Sequence, residues 1–226
     1  MSLDQKIRFD LIQSAIGPER GRILEVGCGA GNLSIMLAAK GHSVFACDVP
    51  TPFGVPIAPQ FFLADGCHLP VASAFFDYTI STEVLEHVPP EGRQMFIKEL
   101  MRVTRPNGKI ILTAFIRRTF SFRLYGAAWL MASGALPLWY GEHVMIPPPT
   151  APEILATFSS LSGKVLFSRE YVGPLELFFM WIQNATKWMA LTRAASLIAK
   201  LDRLGRKTSY VVIIQKQTVA ANHGSL

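Results

Sequence analysis

Residues 22–31, RILEVGCGAG, decide the fold that this sequence predicts. The first five form a short, mostly apolar run typical of a buried β-strand, and residues 31–40, GNLSIMLAAK, are typical of an α-helix. Between them lie three alternating glycines, Gly27, Gly29 and Gly31. Glycine lets the backbone adopt positive φ values and approach a ligand closely. The stretch therefore predicts a strand, a tight turn and a helix, with a ligand held against the turn.

The glycine spacing distinguishes between classes of ligand. Dinucleotide sites use the pattern G-x-G-x-x-G, which aims the helix N-terminus at a pyrophosphate. This chain has G-x-G-x-G, and Asn32 stands where the third glycine of that pattern would be. The departure disfavours a nicotinamide cofactor. A ligand without phosphates, such as S-adenosylmethionine, needs the close backbone approach but no anion site.

Strand and helix patterns continue to alternate on either side of this turn. We predict helices over residues ~4–16, 91–104 and near 151–161, and strands within the apolar runs SVFACD (43–48), FFLAD (61–65), FDYTISTE (76–83), KIILTAF (109–115), KVLFSRE (164–170) and SYVVIIQK (209–216). Short apolar strands that alternate with helices indicate a parallel sheet covered on both faces. The predicted fold class is a Rossmann-like α/β three-layer sandwich.

Two carboxylates follow predicted strands. Asp48 ends the second strand, 17 residues beyond Gly31, and a carboxylate there can accept hydrogen bonds from both hydroxyls of a ribose. The alternative is a turn or helix-capping aspartate. Asp65, in Ala64-Asp65-Gly66, ends the third strand and can accept a hydrogen bond from an adenine amino group.

Four blocks, taken in order, resemble the class I methyltransferases of the small-molecule type. They are ILEVGCGAGNLS (23–34), Asp48, LADGCHLPVASAFFDYTISTEVLEHV (63–88) and ELMRVTRPNGKIILTAF (99–115), and together they span roughly residues 20–116. The resemblance implies S-adenosylmethionine as methyl donor and a seven-stranded, mostly parallel sheet whose last strand is antiparallel. We expect one domain, 1–226, with a donor-binding core over 1–116 and acceptor-side insertions at 117–163 and 171–208.

The resemblance also implies roles for individual residues. Around the methionine part of the donor would lie Glu25, Gly27, Gly29 and Gly31; around its ribose and adenine, Asp48, Val49, Asp65, Gly66 and Cys67; and near its sulfonium, Thr82 and Glu83. The acidic groups among them suit a cationic donor electrostatically.

An oxygen or nitrogen acceptor needs a base when it must lose a proton. The candidates are His87 in LEHV (85–88) and His143 in GEHV (141–144), because histidine titrates near neutral pH. Each has an alternative interpretation: His87 as a contact that shapes the donor pocket, and His143 as a loop or hinge residue. No Asn-Pro-Pro-Tyr-like block follows the fourth strand, which argues against amino methylation of DNA bases or glutamine. The five histidines are dispersed without zinc-site spacing, so no metal is expected.

The rear half of the chain is basic and apolar. Residues 1–116 hold 10 basic and 11 acidic side chains, whereas residues 117–207 hold 11 basic and 5 acidic ones. Residues 174–207 include a basic amphipathic helical pattern, which predicts either a helix packed on the core or one docked on an anionic membrane surface. Residues 120–140 allow a buried lid or a shallow insertion. Long aliphatic runs favour a hydrophobic acceptor over nucleic acid.

Three cysteines without CxxC spacing indicate a reducing, cytoplasmic setting. The first ten residues lack the apolar run of a signal peptide. Peripheral attachment to a membrane is a further expectation. The leading hypothesis is methylation of a lipophilic small molecule, such as a lipid, an isoprenoid or quinone precursor or a glycolipid, at a membrane surface. The alternatives are methylation of a soluble metabolite beneath a packed cap, a non-catalytic donor-binding scaffold, and a nicotinamide-linked reductase.

Overall fold

A computed structural model of the chain describes residues 3–50, 58–116, 146–171 and 209–218. Seven strands form one sheet in the order β3-β2-β1-β4-β5-β7-β6. The strands are β1 (Arg22–Val26), β2 (Ser43–Asp48), β3 (Phe61–Leu63), β4 (Phe76–Thr82), β5 (Thr104–Phe115), β6 (Gly163–Tyr171) and β7 (Ser209–Lys216). The helices are α1 (Leu3–Ile16), α2 (Asn32–Ala39), α3 (Arg93–Val103) and α4 (Ala151–Ser160), and a 3₁₀ turn, Pro90–Gly92, precedes α3.

The predicted fold class is confirmed. Neighbouring strands from β3 to β5 pair in parallel, and β7 is antiparallel to both β5 and β6. Two strand boundaries differ from the prediction by two residues or more. β3 ends at Leu63, and β5 begins at Thr104 rather than 109 because Thr104 pairs with Phe76 across a register shift that absorbs the predicted turn.

Apolar side chains cover both faces of the sheet. On one face, Leu24 and Leu112 pack with Phe96 of α3 and Phe158 of α4. On the other face, Ile23, Ile80, Ile111 and Ile213 pack with Ile12 and Ile16 of α1 and Leu37 of α2. Burying a large aliphatic or aromatic side chain contributes ~1.5–3 kcal/mol, so these two layers hold the sheet rigidly between the helices.

The strand order sets where a ligand can bind. From β1 the chain runs outward through β2 to β3 and then returns to β4 on the opposite side of β1. The carboxyl ends of β1 and β4 therefore flank the point where the strand order reverses, which is the usual ligand crevice of open parallel sheets. The glycine turn follows β1 at this point.

Within the described ranges, no helix is both long enough and apolar enough to cross a membrane. Residues 120–140 and 174–207, for which lid and docking functions are predicted, lie outside those ranges.

Candidate functional site

The glycine turn is fixed to the neighbouring strand by its backbone. Gly27, Gly29 and Gly31 all have positive φ, at 78°, 52° and 83°. The amides of Gly27 and Cys28 donate to the carbonyl of Cys47 in β2, at 2.8 and 3.1 Å. The turn therefore stands at the carboxyl edge of both β1 and β2.

The three glycines differ in what surrounds them. A Cβ at Gly27 would overlap the side chain of Val84, and a Cβ at Gly31 would come within 3.0–3.2 Å of Ala58. A Cβ at Gly29 would meet no described atom within 4 Å. Gly27 and Gly31 are therefore needed for packing, whereas Gly29 faces open space that a ligand can fill.

Asp48 lies directly beside this space. Its Oδ2 accepts a hydrogen bond from the Gly29 amide at 2.7 Å, and its Oδ1 accepts one from the Val49 amide at 2.8 Å. Each carboxylate oxygen has a second lone pair, so both can still accept a ribose hydroxyl. The amide bonds fix the carboxylate in place before any ligand arrives.

Two exposed apolar side chains continue the site along the sheet edge. Val49 is 50% exposed and Leu63 is 61% exposed, and Asp48 and Leu63 are register partners at the ends of β2 and β3. Exposed aliphatic groups beside a carboxylate suit a flat, apolar ring that carries a ribose. The open cradle at Gly29, the acceptor pair of Asp48 and these apolar walls fit the nucleoside part of S-adenosylmethionine.

Asp65 and Gly66 follow β3 at the same edge. The Asp65 side chain is exposed, and its Oδ1 accepts a hydrogen bond from the Cys67 amide at 2.8 Å. That bond holds the pKa of Asp65 below its usual range, so the carboxylate stays an acceptor. A Cβ at Gly66 would overlap the ring of Phe96, which explains that glycine by packing. The predicted contact of Asp65 with adenine stays a prediction.

Glu25, the fourth residue of β1, is buried. Only 2% of it is exposed, and its carboxyl accepts a hydrogen bond from Ser34 Oγ of α2. Burial raises the pKa of Glu25 to about 7, although the Ser34 bond opposes the change. Glu25 is therefore partly protonated at neutral pH.

Thr82 ends β4 opposite Thr113 of β5, and Glu83 follows it with a φ of 56°. The carboxylate of Glu83 accepts a hydrogen bond from the Tyr171 hydroxyl at 3.2 Å and lies 3.7 Å from Arg8 Nη1 of α1. The charge that the sequence predicts near the sulfonium is thus paired with a cation of this chain.

A tight turn carries the first candidate base. The His87 side chain is exposed, and the backbone amide of His87 donates to the Val84 carbonyl at 2.9 Å. Its neighbour Glu86 is buried and accepts a hydrogen bond from the Phe115 amide at 3.2 Å. Burial, and then the charge of Glu83, raises the pKa of Glu86 well above its usual range. The other candidate, His143, lies outside the described residues.

Cysteine chemistry is disfavoured at this site. Burial raises the pKa values of the Cys28 and Cys47 thiols to about 12, so both stay protonated. Among the residues that the structure describes, no three His, Cys, Asp or Glu side chains are grouped to hold a metal ion.

Sequence reasoning missed Ser34, Tyr171 and Arg93. One signal was present for Arg93: it stands on the apolar stripe of α3, three and four residues before the buried Phe96 and Ile97. A cation in such a stripe needs partners. Neither Ser34 nor Tyr171 carries a comparable signal, since their bonds depend on the tertiary fold.

Comparisons with known proteins agree with this geometry. Residues 24–112 match the family model described as "Methyltransferase domain". The chain is 30% identical over 179 residues to a ubiquinone biosynthesis O-methyltransferase of Dechloromonas aromatica, which covers 73% of this chain and 75% of that protein. It is 35% identical over 139 residues to the mitochondrial ubiquinone biosynthesis O-methyltransferase of Schizosaccharomyces pombe, over 55% of this chain and 44% of that protein.

The fold also matches a solved structure. This is the 1,6-didemethyltoxoflavin-N1-methyltransferase of Burkholderia thailandensis with bound 1,6-didemethyltoxoflavin and S-adenosylhomocysteine, at 14% identity and a TM-score of 0.61, over 96% of this chain and 80% of that chain. The chain spans about half the length of several curated relatives, 44 to 51% for three of them. The sequence blocks, the sheet order and these matches together favour the methyl-donor family over the nicotinamide alternative. The chain belongs to the class I, small-molecule type of S-adenosylmethionine-dependent methyltransferases.

Proposed function

We propose that this protein transfers the methyl group of S-adenosylmethionine to a hydroxyl oxygen of a small lipophilic acceptor. The donor part of this proposal rests on the open space at Gly29. The carboxylate of Asp48, which the Gly29 amide holds in position, borders that space. Bound there, the donor supplies an activated methyl group on a cationic sulfur. The chain's own task is then to hold donor and acceptor in line, which accounts for much of the rate in such transfers.

The oxygen acceptor is supported by the relatives. Both ubiquinone biosynthesis enzymes are named as O-methyltransferases. Ubiquinone itself consists of an oxygenated ring that carries an isoprenoid chain. The acceptor class that we propose is therefore a phenol or catechol with an isoprenoid tail. In this proposal, His87 takes the hydroxyl proton, since it lies on the turn that follows β4 and its side chain is exposed.

Donor binding is the first test. Titration calorimetry of the full chain with S-adenosylmethionine should give micromolar affinity, and Asp48→Ala should weaken it at least about tenfold, which corresponds to ~1.4 kcal/mol. Asp77→Ala is the matched control, because Asp77 lies at the opposite end of the sheet, where its carboxylate accepts from the Arg22 amide. Equal affinity of the wild-type protein and Asp48→Ala would contradict the donor site.

Acceptor turnover is the second test. The probe is a catechol with a two-isoprene tail, compared with the same catechol without the tail. A lipophilic site predicts a lower KM for the tailed compound. Equal KM values would favour the soluble-metabolite alternative, and donor affinity without turnover of any acceptor would favour the non-catalytic scaffold.

Docking on an anionic membrane through residues 174–207 is supported by the sequence pattern alone. We expect the protein to sediment with vesicles that contain phosphatidylserine, but not with pure phosphatidylcholine vesicles, and to be released by salt. A protein that stays in solution with both vesicle types at low salt would contradict docking.

A further inference from the structure

Arg93, the first residue of α3, is a buried cation with an unusual set of partners. Its side chain is only 7% exposed. Nε donates to the carbonyl of Val88 at 3.1 Å, Nη2 donates to the carbonyl of Pro147, and Nη1 lies 3.9 Å from Glu153. One guanidinium thus touches three separate segments of the chain.

Those three segments meet beside the turn that carries His87, the base in the proposed function. Val88 follows His87 on the turn after β4, Pro147 lies near the start of the described part of the 117–163 insertion, and Glu153 is in the first turn of α4. We refer to residues 84–88, residues 146–150 and the first turn of α4 as the acceptor-side junction. The Arg93 side chain forms a direct polar link between residues 84–88 and residues 146–150, because it donates to a carbonyl in each.

The local chemistry favours arginine at this position. Two carbonyls and one carboxylate face the side chain from different directions, and the planar guanidinium offers five donors in a fixed fork. Burial lowers the pKa of Arg93, while the carboxylates of Glu153, Glu86 and Glu91 oppose that change. A lysine ammonium retains the charge but cannot reach all three partners in the same geometry.

Glu153 also forms hydrogen bonds at the start of α4, and these link the Arg93 side chain to that helix. It completes a capping box with Thr150: the Glu153 amide donates to Thr150 Oγ1 at 3.3 Å, and the Thr150 amide donates to Glu153 Oε2 at 3.2 Å. Its other oxygen, Oε1, faces Arg93. The same side chain therefore starts α4 and orients it toward α3.

We propose that Arg93 is a positioning residue for the acceptor: it docks the end of the 117–163 insertion on the turn that carries His87 and so sets how tightly the acceptor is held. The inference rests on the proposed function for the identity of the acceptor side. It assigns no direct contact between Arg93 and the reacting atoms. The partners of Arg93 are Val88, Pro147 and Glu153, none of which belongs to the donor cradle at Gly29 and Asp48, so donor affinity should not depend on Arg93.

Arg102 provides a matched control on the same helix. It too forms a fork, donating to the carbonyls of Val71 at 2.8 Å and Leu69 at 2.9 Å and to Glu99 at 2.6 Å. The two carbonyls lie in the 69–73 loop and Glu99 lies on α3 itself, and none of them belongs to the acceptor-side junction. Arg93→Lys and Arg102→Lys therefore replace a guanidinium with an ammonium group at two different sets of contacts on the same helix.

The kinetic test compares the two lysine variants with the tailed catechol as acceptor. Arg93→Lys should raise the acceptor KM about tenfold, the change expected for the loss of one charged hydrogen bond, while the donor Kd stays within about twofold. Arg102→Lys should leave the acceptor KM unchanged. Glu153→Gln keeps the capping box, since glutamine serves at that position, and should raise the KM less than Arg93→Lys.

Hydrogen exchange separates failure of this inference from failure of the proposed function. In Arg93→Lys, amides in peptides 84–92 and 150–158 should exchange faster, and those in 69–76 should not; Arg102→Lys should give the reverse. Faster exchange at the junction with an unchanged acceptor KM would overturn the positioning role. If the wild-type protein methylates no catechol, the proposed acceptor is wrong. Unchanged hydrogen exchange in Arg93→Lys would overturn the claim that Arg93 holds the acceptor-side junction together.

Discussion

Substitution of Gly29 by alanine separates backbone strain from ligand binding. Gly29 has a φ of 52°, and an alanine Cβ there would meet no described atom within 4 Å. The folded chain therefore bears only the cost of a left-handed alanine, ~1–2 kcal/mol, without a steric clash. The same methyl group would occupy the space beside Asp48 that the donor is proposed to fill.

Gly17 is the matched control for this change. It follows α1 with a φ of 78°, and a Cβ there also meets no described atom within 4 Å. Gly17→Ala should cost a similar ~1–2 kcal/mol, which for a chain of this size lowers Tm by roughly 2–8 °C. It should leave donor affinity unchanged because Gly17 is at the far end of the sheet from the glycine turn.

Thermal unfolding and donor titration together decide the outcome. Both variants should show comparable falls in Tm, but only Gly29→Ala should weaken S-adenosylmethionine binding, by at least about tenfold, which corresponds to ~1.4 kcal/mol. If the Gly29→Ala variant binds the donor with the same affinity as the Gly17→Ala variant, this reasoning is refuted. The open space at Gly29 would then not be the donor cradle.

Three further predictions concern titration, the base and the Glu83 contact. Because the pKa of Glu25 is raised to about 7 from an unfolded value near 4.5, its contribution to the free energy of unfolding is full below pH 4.5 and is lost as pH rises through 7. In denaturant unfolding, Glu25→Gln should remove about 3 kcal/mol of this decline in stability with pH. An unchanged pH profile would contradict a buried titrating carboxyl. His87→Gln should lower kcat about 100-fold or more with an unchanged donor Kd, and rate recovery at high pH would support its role as base, whereas a normal kcat would exclude it. Tyr171→Phe should cost ~1–2 kcal/mol of unfolding free energy by removing the hydroxyl that donates to Glu83, and a cost near zero would show that this bond contributes nothing.

Local sequence determined several strands and the glycine turn almost completely. β1, β2 and β7 have the predicted bounds, and the three glycines of the turn adopt positive φ as their spacing indicates. These features follow from neighbouring residues, because a short apolar run and a glycine turn need no distant partner to be recognised. Asp48 was predictable for the same reason, since it ends a strand that must lie beside β1.

Features that depend on distant partners could not be predicted. Residues 105–108 contain Pro106-Asn107-Gly108, which indicates a turn, and Asn107 does have a φ of 62°. The strand nevertheless starts at Thr104, because that residue pairs with Phe76 in β4. The charge of Glu83 is likewise paired with residues far away in sequence, Arg8 and Tyr171, and no local pattern predicts either contact.

These contacts change the electrostatic argument for the donor site. The sequence suggests that acidic groups attract a cationic donor, yet Glu25 is partly protonated and Glu83 is paired with Arg8. Burial also raises the pKa of Glu86. The carboxylate at the open cradle is that of Asp48, whose geometry is fixed by two amides. In the donor site that we propose, the described residues would therefore select the donor through the shape at Gly29 and through oriented hydrogen-bond acceptors more than through net negative charge, as expected where groups already held in position replace solvent around a ligand.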